Sequence, residues 1–555
     1  MKGLIKLLVI GFMLFSVQTT FGQVVFEHLS NKNIYDFMDE LANETFIEIN
    51  SVVKPYSRGF IADKLVEAES SIENMSIRQK KELEFYLTGF KAEIDSLPDY
   101  NPKWDIFRKN ERLATALNPF GVFYKDKLFT ASVKPIWGIN YFFNDNGTIW
   151  HRWGGLEATA YIGKHWGMYA SLRDNTESQI LSAPEFFTQR GGGGNFKRNE
   201  SGGVDFNEMR GGVVYSWNWG SFGLVKDHVN WGNNYNGPNI FSDRPPSITQ
   251  LKLQMKPAKW FELNYFHGWL ISMVVDSSRS YYYNIGNSTY YRSTYRPKYM
   301  AANMFTFTPW KNLKLSFGNS IVYSDMNVYP GYLIPIMFYK AIDHVVNSSI
   351  DNQNSQLFFD ISSRQIKKLN LYASLYVDEF KTSRVSDSET SNFWSTKIGV
   401  KESNVLINNL SINIEYTKTV PITYQHRVPT LTFESNNFNF GHYMRDNSQE
   451  IYVSLEYKPI RGLHIKTYYM LAQHGPDYTY TVDGTYDTHP FIERVAWQNQ
   501  TISLKATYEF ANNAYLFAEF ISSDISGDED QVKKYTPDFF QGQQNTFSVG
   551  FNFGF

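Results

Sequence analysis

Cysteine is absent from all 555 residues, which excludes a disulfide framework, a thiolate metal site and a lipid-anchored cysteine at the start of an exported chain. Beyond residue 22 there is no apolar run near the ~20 residues that a spanning helix requires, so a helical membrane protein is excluded. Charge of one sign is equally scarce. The 53 Lys+Arg stand against 55 Asp+Glu, and this balance gives no reason to expect a nucleic-acid partner. The eleven histidines form neither His-Glu-x-x-His nor His-x-His, and no Gly-x-Ser-x-Gly elbow or other nucleophile motif occurs. The sequence therefore predicts no enzyme, no metal site and no cofactor.

What the chain does hold is aromatic side chains. Its 44 Phe, 37 Tyr and 13 Trp make up 17% of it, yet the mean hydropathy is −0.38. Many aromatics in a chain that is polar on average suit a transmembrane barrel, whose strands alternate lipid-facing apolar residues with lumen-facing polar ones. A secreted β-sandwich also alternates, but it explains neither the loop lengths nor the final strand considered below.

The N-terminus reads as a secretory signal peptide over 1–22. Lys2 and Lys6 precede LLVIGFMLFSV and a small-residue exit at Thr20-Phe21-Gly22, with cleavage expected before Gln23. Losing those two lysines takes the net charge from −2 to about −4. Residues 23–97 read as a soluble helical bundle. NIYDFMDELANE puts Ile34, Phe37, Met38 and Leu41 on one face, and YSRGFIADKLVEA groups Phe60, Ile61, Leu65 and Val66 behind a Ser57 cap. SIRQKKELEFYLTGFKAEI opens with Ser76 and Gln79 in capping-box spacing, then stacks Leu83, Tyr86, Leu87, Phe90 and Ile94. Pro98 and Pro102 end the segment, and 98–119 reads as a linker.

From about 120 to 555 the period changes from 3.6 to 2. In LKLQMKP, Leu251, Leu253 and Met255 share one face; NLYASLYVDEF and TISLKATYEF alternate in the same way. Strand starts are expected near 128, 153, 165, 209, 219, 248, 259, 298, 311, 353, 367, 392, 408, 449, 461, 497, 512 and 544, about eighteen in all. Short turns such as GKHW, KPAKW and KPIRG take turns with long segments such as 175–208, 228–247 and 419–448. Tight periplasmic turns and long external loops are the outer-membrane barrel pattern. An even strand count puts both the helical segment and the C-terminus in the periplasm. The last strand, NTFSVGFNFGF, is expected to pair with the first, to face its aromatics to lipid, and to present its terminal Phe555 to the barrel insertion machinery.

Three loop regions carry candidate chemistry. RGGGGNFKRNESGG offers backbone amides for a phosphate, but no strand feeds it and no helix with Lys-Ser/Thr follows, so a flexible external loop is expected. SDISGDEDQ gathers Asp524, Asp528, Glu529 and Asp530 but misses calcium-loop spacing, so a solvated acidic loop is expected. The stretch from 220 to 270 packs Lys226, Asp227, His228, Trp231, Asn233, Asn234, Tyr235, Asn239, Asp243 and Arg244 at the top of one strand and across one loop. Aromatic faces beside amides, carboxylates and a guanidinium suit a sugar, whose ring has an apolar C–H face and a rim of hydroxyls. In that reading Trp231 and Tyr235 stack on the ring, Asp227, Asn233, Asn234 and Arg244 pair with hydroxyls or uronate carboxylates, and Lys226 and His228 belong to the same site. A rim aromatic girdle with polar loop filler would have the same composition.

The run GLVKDHVNWG, IFSDRPPSITQLKLQ and FELNYFHGWL resembles the core of the Wzi-type capsule-assembly family of outer-membrane proteins, particularly its Bacteroidetes version. KPYSRGFIADKL, YLIPIMFYKAIDH, DNQNSQLFFDIS and FGHYMRDNSQEIYVSLEYKP add weaker matches across most of the chain. The resemblance implies a periplasmic helical bundle on a large monomeric barrel in outer-membrane lipid, binding capsular polysaccharide without a reaction. Some Bacteroidetes members of this kind, the RemB-like proteins among them, are associated with gliding motility, which makes a surface-machinery component the alternative. A porin-like channel is the third reading.

Overall fold

The computed structural model describes residues 23–94, 105–109, 112–200, 202–346, 351–380, 392–478 and 489–555; the signal peptide expected over 1–22 lies outside them. Helices come first: α1 (Lys32–Asn43), α2 (Arg58–Glu69), α3 (Ile77–Gly89) and α4 (Lys91–Ile94). Their starts follow from side-chain caps. Ser57 Oγ accepts the Phe60 N–H at 3.1 Å, and Ser76 with Gln79 closes a reciprocal box at 3.2 and 2.9 Å. Phe37, Met38, Leu41, Ile61, Leu65, Leu83 and Tyr86 bury into one core. The α2 stripe runs through Ile61, Ala62, Leu65 and Ala68, which leaves Val66 exposed beside it. Within the stretch read as a linker, Asp105–Lys109 and Leu113–Leu117 form strands that join Phe120–Lys125 in a meander against the first barrel strand.

Eighteen antiparallel strands close the barrel. They are β1 (Phe129–Asn144), β2 (Gly147–Ile162), β3 (Trp166–Glu177), β4 (Val204–Trp217), β5 (Gly220–Asp227) and β6 (Ile248–Ala258). Next come β7 (Phe261–Val275), β8 (Tyr295–Trp310), β9 (Leu313–Ser324), β10 (Gln353–Ser363), β11 (Leu369–Glu379) and β12 (Phe393–Ser403). The set ends with β13 (Leu410–Thr419), β14 (Ser448–Tyr457), β15 (Leu463–His474), β16 (Trp497–Ala511), β17 (Ala514–Gly527) and β18 (Gly542–Phe553). Strand β18 closes on β1, with Phe547 opposite Phe143 and Phe553 opposite Trp137. Among the described residues the eighteen-stranded barrel has no unpaired edge strand, which removes the exposed ladder of an open sheet.

The period-2 pattern sorts side chains between lipid and lumen. On β12, Ser395, Lys397, Lys401 and Ser403 are buried inward while Ile398 is exposed outward; on β9, Ser316 and Ser320 face in while Leu315 and Phe317 face out. Trp166, Trp219, Trp260 and Trp310 stand exposed at one rim, beside the turns at 163–165, 218–219, 259–260 and 311–312. Such a belt marks a membrane interface. At the opposite rim β1 and β2 join through a tight turn at 145–146, so the first connection there is short; the others span 178–203 to 528–541 and are long. Among the described residues no helix is long and apolar enough to span a membrane.

Phe555 does not face lipid. Gly554 takes φ +77°, which swings the chain inward, and Phe555 is 2% exposed beside Ile136, Trp153 and Phe517. Outward aromatic character belongs to Phe547 and, less exposed, to Phe551 and Phe553, which precede that turn.

The helices fill the short-turn mouth. Arg364 reaches Asp39 at 2.8 Å and Asn43 at 2.7 Å, Lys458 reaches Glu40 at 3.2 Å, and Arg78 donates to Asn409 at 3.1 Å and pairs with Glu40 and Glu82. Burial alone would raise the Glu82 carboxyl. The His464 imidazole, 3.7 Å away, and the charges of Arg78 and Lys458 outweigh it and hold Glu82 at about 2. The segment before α1 runs along the inner wall so closely that a Cβ on Gly167 would lie 2.1 Å from the Val24 carbonyl oxygen.

Candidate functional site

From the long-loop rim, three connections fold into the lumen. Leu181 and Phe187 come from 178–203, Ile240 and Phe241 from 228–247, and Tyr424, Phe433, Phe438 and Phe440 from 420–447; all are buried. Their aromatic rings pack together, Phe241 tilted against Phe433 at 5.1 Å and edge to face against Phe440 at 5.9 Å. The two fillings meet mid-barrel. Val53 and Lys54 pair antiparallel with Trp231 and Asn230, and the Gly232 N–H donates to Val52 O at 3.0 Å.

This inward course decides what becomes of the residues expected to hold sugar. Trp231 is 2% exposed, set against Phe241 at 5.0 Å and Phe266 at 5.3 Å, so it has no free ring face for stacking. Asp227 is fully buried, held by Arg210 at 2.7 Å and by the Tyr169 hydroxyl at 2.7 Å. Arg244, 3% exposed, donates to the carbonyls of Ala183, Pro184 and Phe186 at 3.2, 3.2 and 2.5 Å. Burial, with Arg445 beside it, lowers its guanidinium to about 9. Lys226 Nζ donates to Ser247 O at 2.5 Å, and His228 faces Glu208 at 2.8 Å. These five side chains fix the loop. Sequence composition missed this because a buried loop and a rim need the same residues.

The other three expected residues stay half-buried, and two of them line open space. Asn233 donates from its backbone and side chain to Asp360 at 2.8 and 2.6 Å and stays half-buried. Asn234 and Tyr235 line the lumenal space between helices and loops. Tyr235 donates its backbone N–H to Glu415 at 2.9 Å, its hydroxyl accepts from Asn370 at 3.2 Å, and Lys401 Nζ sits 4.1 Å from its ring centre. Beside it lies a chamber of 510 Å³ walled by Tyr452, Tyr468, Tyr515 and Phe517 with Lys32, Asp36, Lys466, Lys505 and Glu519. The volume falls within the ~300–1,000 Å³ of small-ligand sites. The chamber lies deep between the two fillings, which suits a short ligand or water better than a polymer.

A second space of 290 Å³ lies among the outer loops, lined by Tyr424, Tyr478, Tyr535, His426, Arg445, Asp446, Asp477 and Lys534. Its polar groups are fixed from below. Asp477 accepts from Lys534 at 2.7 Å, Tyr535 at 2.5 Å and Gln531 at 3.1 Å. Burial raises Asp477, but those hydrogen bonds outweigh it and leave the carboxyl lowered. Tyr478 stacks on His489 at 4.5 Å, and Arg445 donates to the carbonyls of Pro184 and Asn437 at 3.3 and 3.1 Å. The half-exposed Tyr478 ring beside a fixed carboxylate and the half-exposed Arg445 side chain makes this cleft a polar and stacking surface for a hydroxyl-rich ligand. It escaped sequence reasoning because its residues come from 420–447, 475–478 and the short helix Glu529–Tyr535.

The other two loop motifs resolve simply. Gly194–Arg198, within the glycine-rich run, forms a strand against β4, and Asp528 pairs with Arg494 while Glu529 pairs with Lys533 at 2.6 Å.

No protein-family model and no curated protein matches the chain. Among solved structures it is similar to Wzi, an outer membrane protein involved in group 1 capsule assembly in Escherichia coli and a carbohydrate-binding β-barrel. The TM-score is 0.56 and the identity 12%, covering 96% of this chain and 99% of that one. A likeness at that identity is one of fold. OccD3 (OpdP) of Pseudomonas aeruginosa has a TM-score of 0.44 and 9% identity over 76% of this chain and 90% of that one, too remote to argue from.

Proposed function

We propose that the protein is a non-catalytic outer-membrane barrel that holds surface polysaccharide, capsular in the first instance, on its long-loop face. The helix bundle and the C-terminal end of the barrel face the periplasm, and the barrel works as a monomer after delivery by the insertion machinery. The observation that carries this reading is the filled lumen: helices enter from one mouth and three loops from the other, so the interior is spent on packing while the outer cleft remains open. A porin keeps its lumen polar and wet. The fold likeness to Wzi, itself described as carbohydrate-binding, supports the same reading.

Within it, Tyr478 supplies the ring face, Arg445 and Lys534 meet hydroxyls or carboxylates, and Asn234 and Tyr235 serve sugar only where a chain end enters the chamber. The test is retention of the organism's own polysaccharide by the purified barrel, wild type against Tyr478→Ala with Arg445→Ala. Several-fold loss in the double variant, with heat-modifiable barrel unchanged, is the expected result. Equal retention removes the cleft from the site. No retention by wild type, with normal capsule but lost spreading in a deletion strain, replaces the polysaccharide role with the motility role of the Bacteroidetes-type, RemB-like alternative.

A further inference from the structure

His28, Glu208 and His228 come from three separate places: the segment before α1, the inner wall of β4 and the start of the inward loop after β5. Both Nε2 atoms converge on one carboxylate oxygen, His28 at 3.0 Å and His228 at 2.8 Å, and the three ligand atoms lie within 4.8 Å of one another. The rings are 5.9 Å apart at 86°, so they approach the oxygen from different directions instead of stacking. Both histidines are buried and Glu208 is nearly so.

We propose that these three side chains form a site for a divalent transition-metal ion, zinc above all, that ties the N-terminal segment to the barrel wall and to the inward loop. Two imidazoles and a carboxylate are donors for zinc, nickel or cobalt, whereas magnesium and calcium take oxygen ligands. The outer nitrogen of His228 is already held as such a site requires. His228 Nδ1 lies 3.2 Å from the Pro245 carbonyl, which orients the ring and leaves Nε2 for the ion. His28 Nδ1 lies 2.6 Å from Ser30 Oγ and 3.0 Å from the Ser30 N–H. Metal binding at its Nε2 requires the proton that faces Glu208 to move to Nδ1, which then donates to the Ser30 hydroxyl while the Ser30 N–H gives up Nδ1 as its acceptor. Asp243, on the wall of the lumenal space, adds negative charge in the neighbourhood of His228. Three protein ligands leave a further coordination position for water. The ring of Phe555, stacked 3.9 Å from His28, covers one face of its imidazole.

The test uses full-length, tag-free protein in detergent, stripped with chelator and titrated calorimetrically with zinc and, separately, magnesium. One saturable zinc per chain and no magnesium response are expected, with His28→Gln and His228→Gln each weakening zinc by on the order of 10–100-fold while heat-modifiable mobility stays normal. Should either variant fail to assemble, wild-type protein with labelled histidines decides alone: one equivalent of cobalt should broaden two of the eleven histidine signals, those of His28 and His228. Equal zinc affinity in wild type and variants, broadening centred on other histidines, or no zinc uptake by wild type would each overturn the proposal.

Discussion

Trp231 lies opposite Val53 in a two-residue antiparallel pairing, the place where the filling from the helical mouth meets the filling from the loop mouth. The indole is enclosed by Phe241, Phe266 and Phe358. Neither plug is therefore independent of the other. A loop expected to reach outward for sugar instead fastens the interior.

Trp231→Ala should cost about 3–5 kcal/mol locally, the range for emptying an aromatic site in a packed core. Hydrogen exchange should rise across 228–247 and 52–54 together, with the strand ladder unchanged. Exchange confined to the loop would mean that the pairing with Val53 carries no coupling.

Conductance follows from the same packing. Wild type in planar bilayers should give little current, whereas replacing 228–247 by a short turn should open measurable steps. Large stable steps in wild type would restore the porin reading.

The mouth filled by α1 and α3 should loosen in acid. Glu82 is held at about 2 although an unperturbed Glu titrates near 4.5, so its contribution is present above that value and is lost as pH falls from about 4.5 towards 2. Glu82→Gln breaks a buried pair with Arg78 and should cost about 3–5 kcal/mol at neutral pH, read as earlier proteolysis of 30–94 in detergent. A variant as resistant as wild type would show that the helices are held by apolar packing alone.

Asp446 behaves in the opposite sense. Burial raises its carboxyl to about 6, and its hydrogen bond from the Ile422 N–H at 2.7 Å does not compensate. The folded loop binds the proton more tightly than the unfolded chain, so stability falls as pH rises from about 4 to 6 and stays lower above. Asp446→Asn should thus protect loop 420–447 from protease at pH 7 and change little at pH 4. Protection at both values would point to a packing effect.

The barrel could be read from the chain because its cause is local. Alternation over β6, β11 and β16 names the face of each residue without knowledge of the neighbour, and turn residues at 163–165, 259–260 and 458–462 set the short rim. The caps at Ser57 and Ser76 are local too, which is why α2 and α3 begin where expected. Phe555 shows the limit. Its place in the period pointed to lipid, but one glycine with positive φ reversed it.

By itself the sequence determined strand number, closure, the helical segment and the polarity of each wall, since these follow from periods of 2 and 3.6 and from side chains adjacent in the chain. Only the tertiary structure decided where the long loops go. Whether Trp231 meets a sugar or Phe266, and whether His28 meets Glu208 and His228, depends on contacts between residues far apart in sequence. Such contacts are chosen by the volume and unpaired polar groups of the lumen, quantities that no stretch of the chain carries alone.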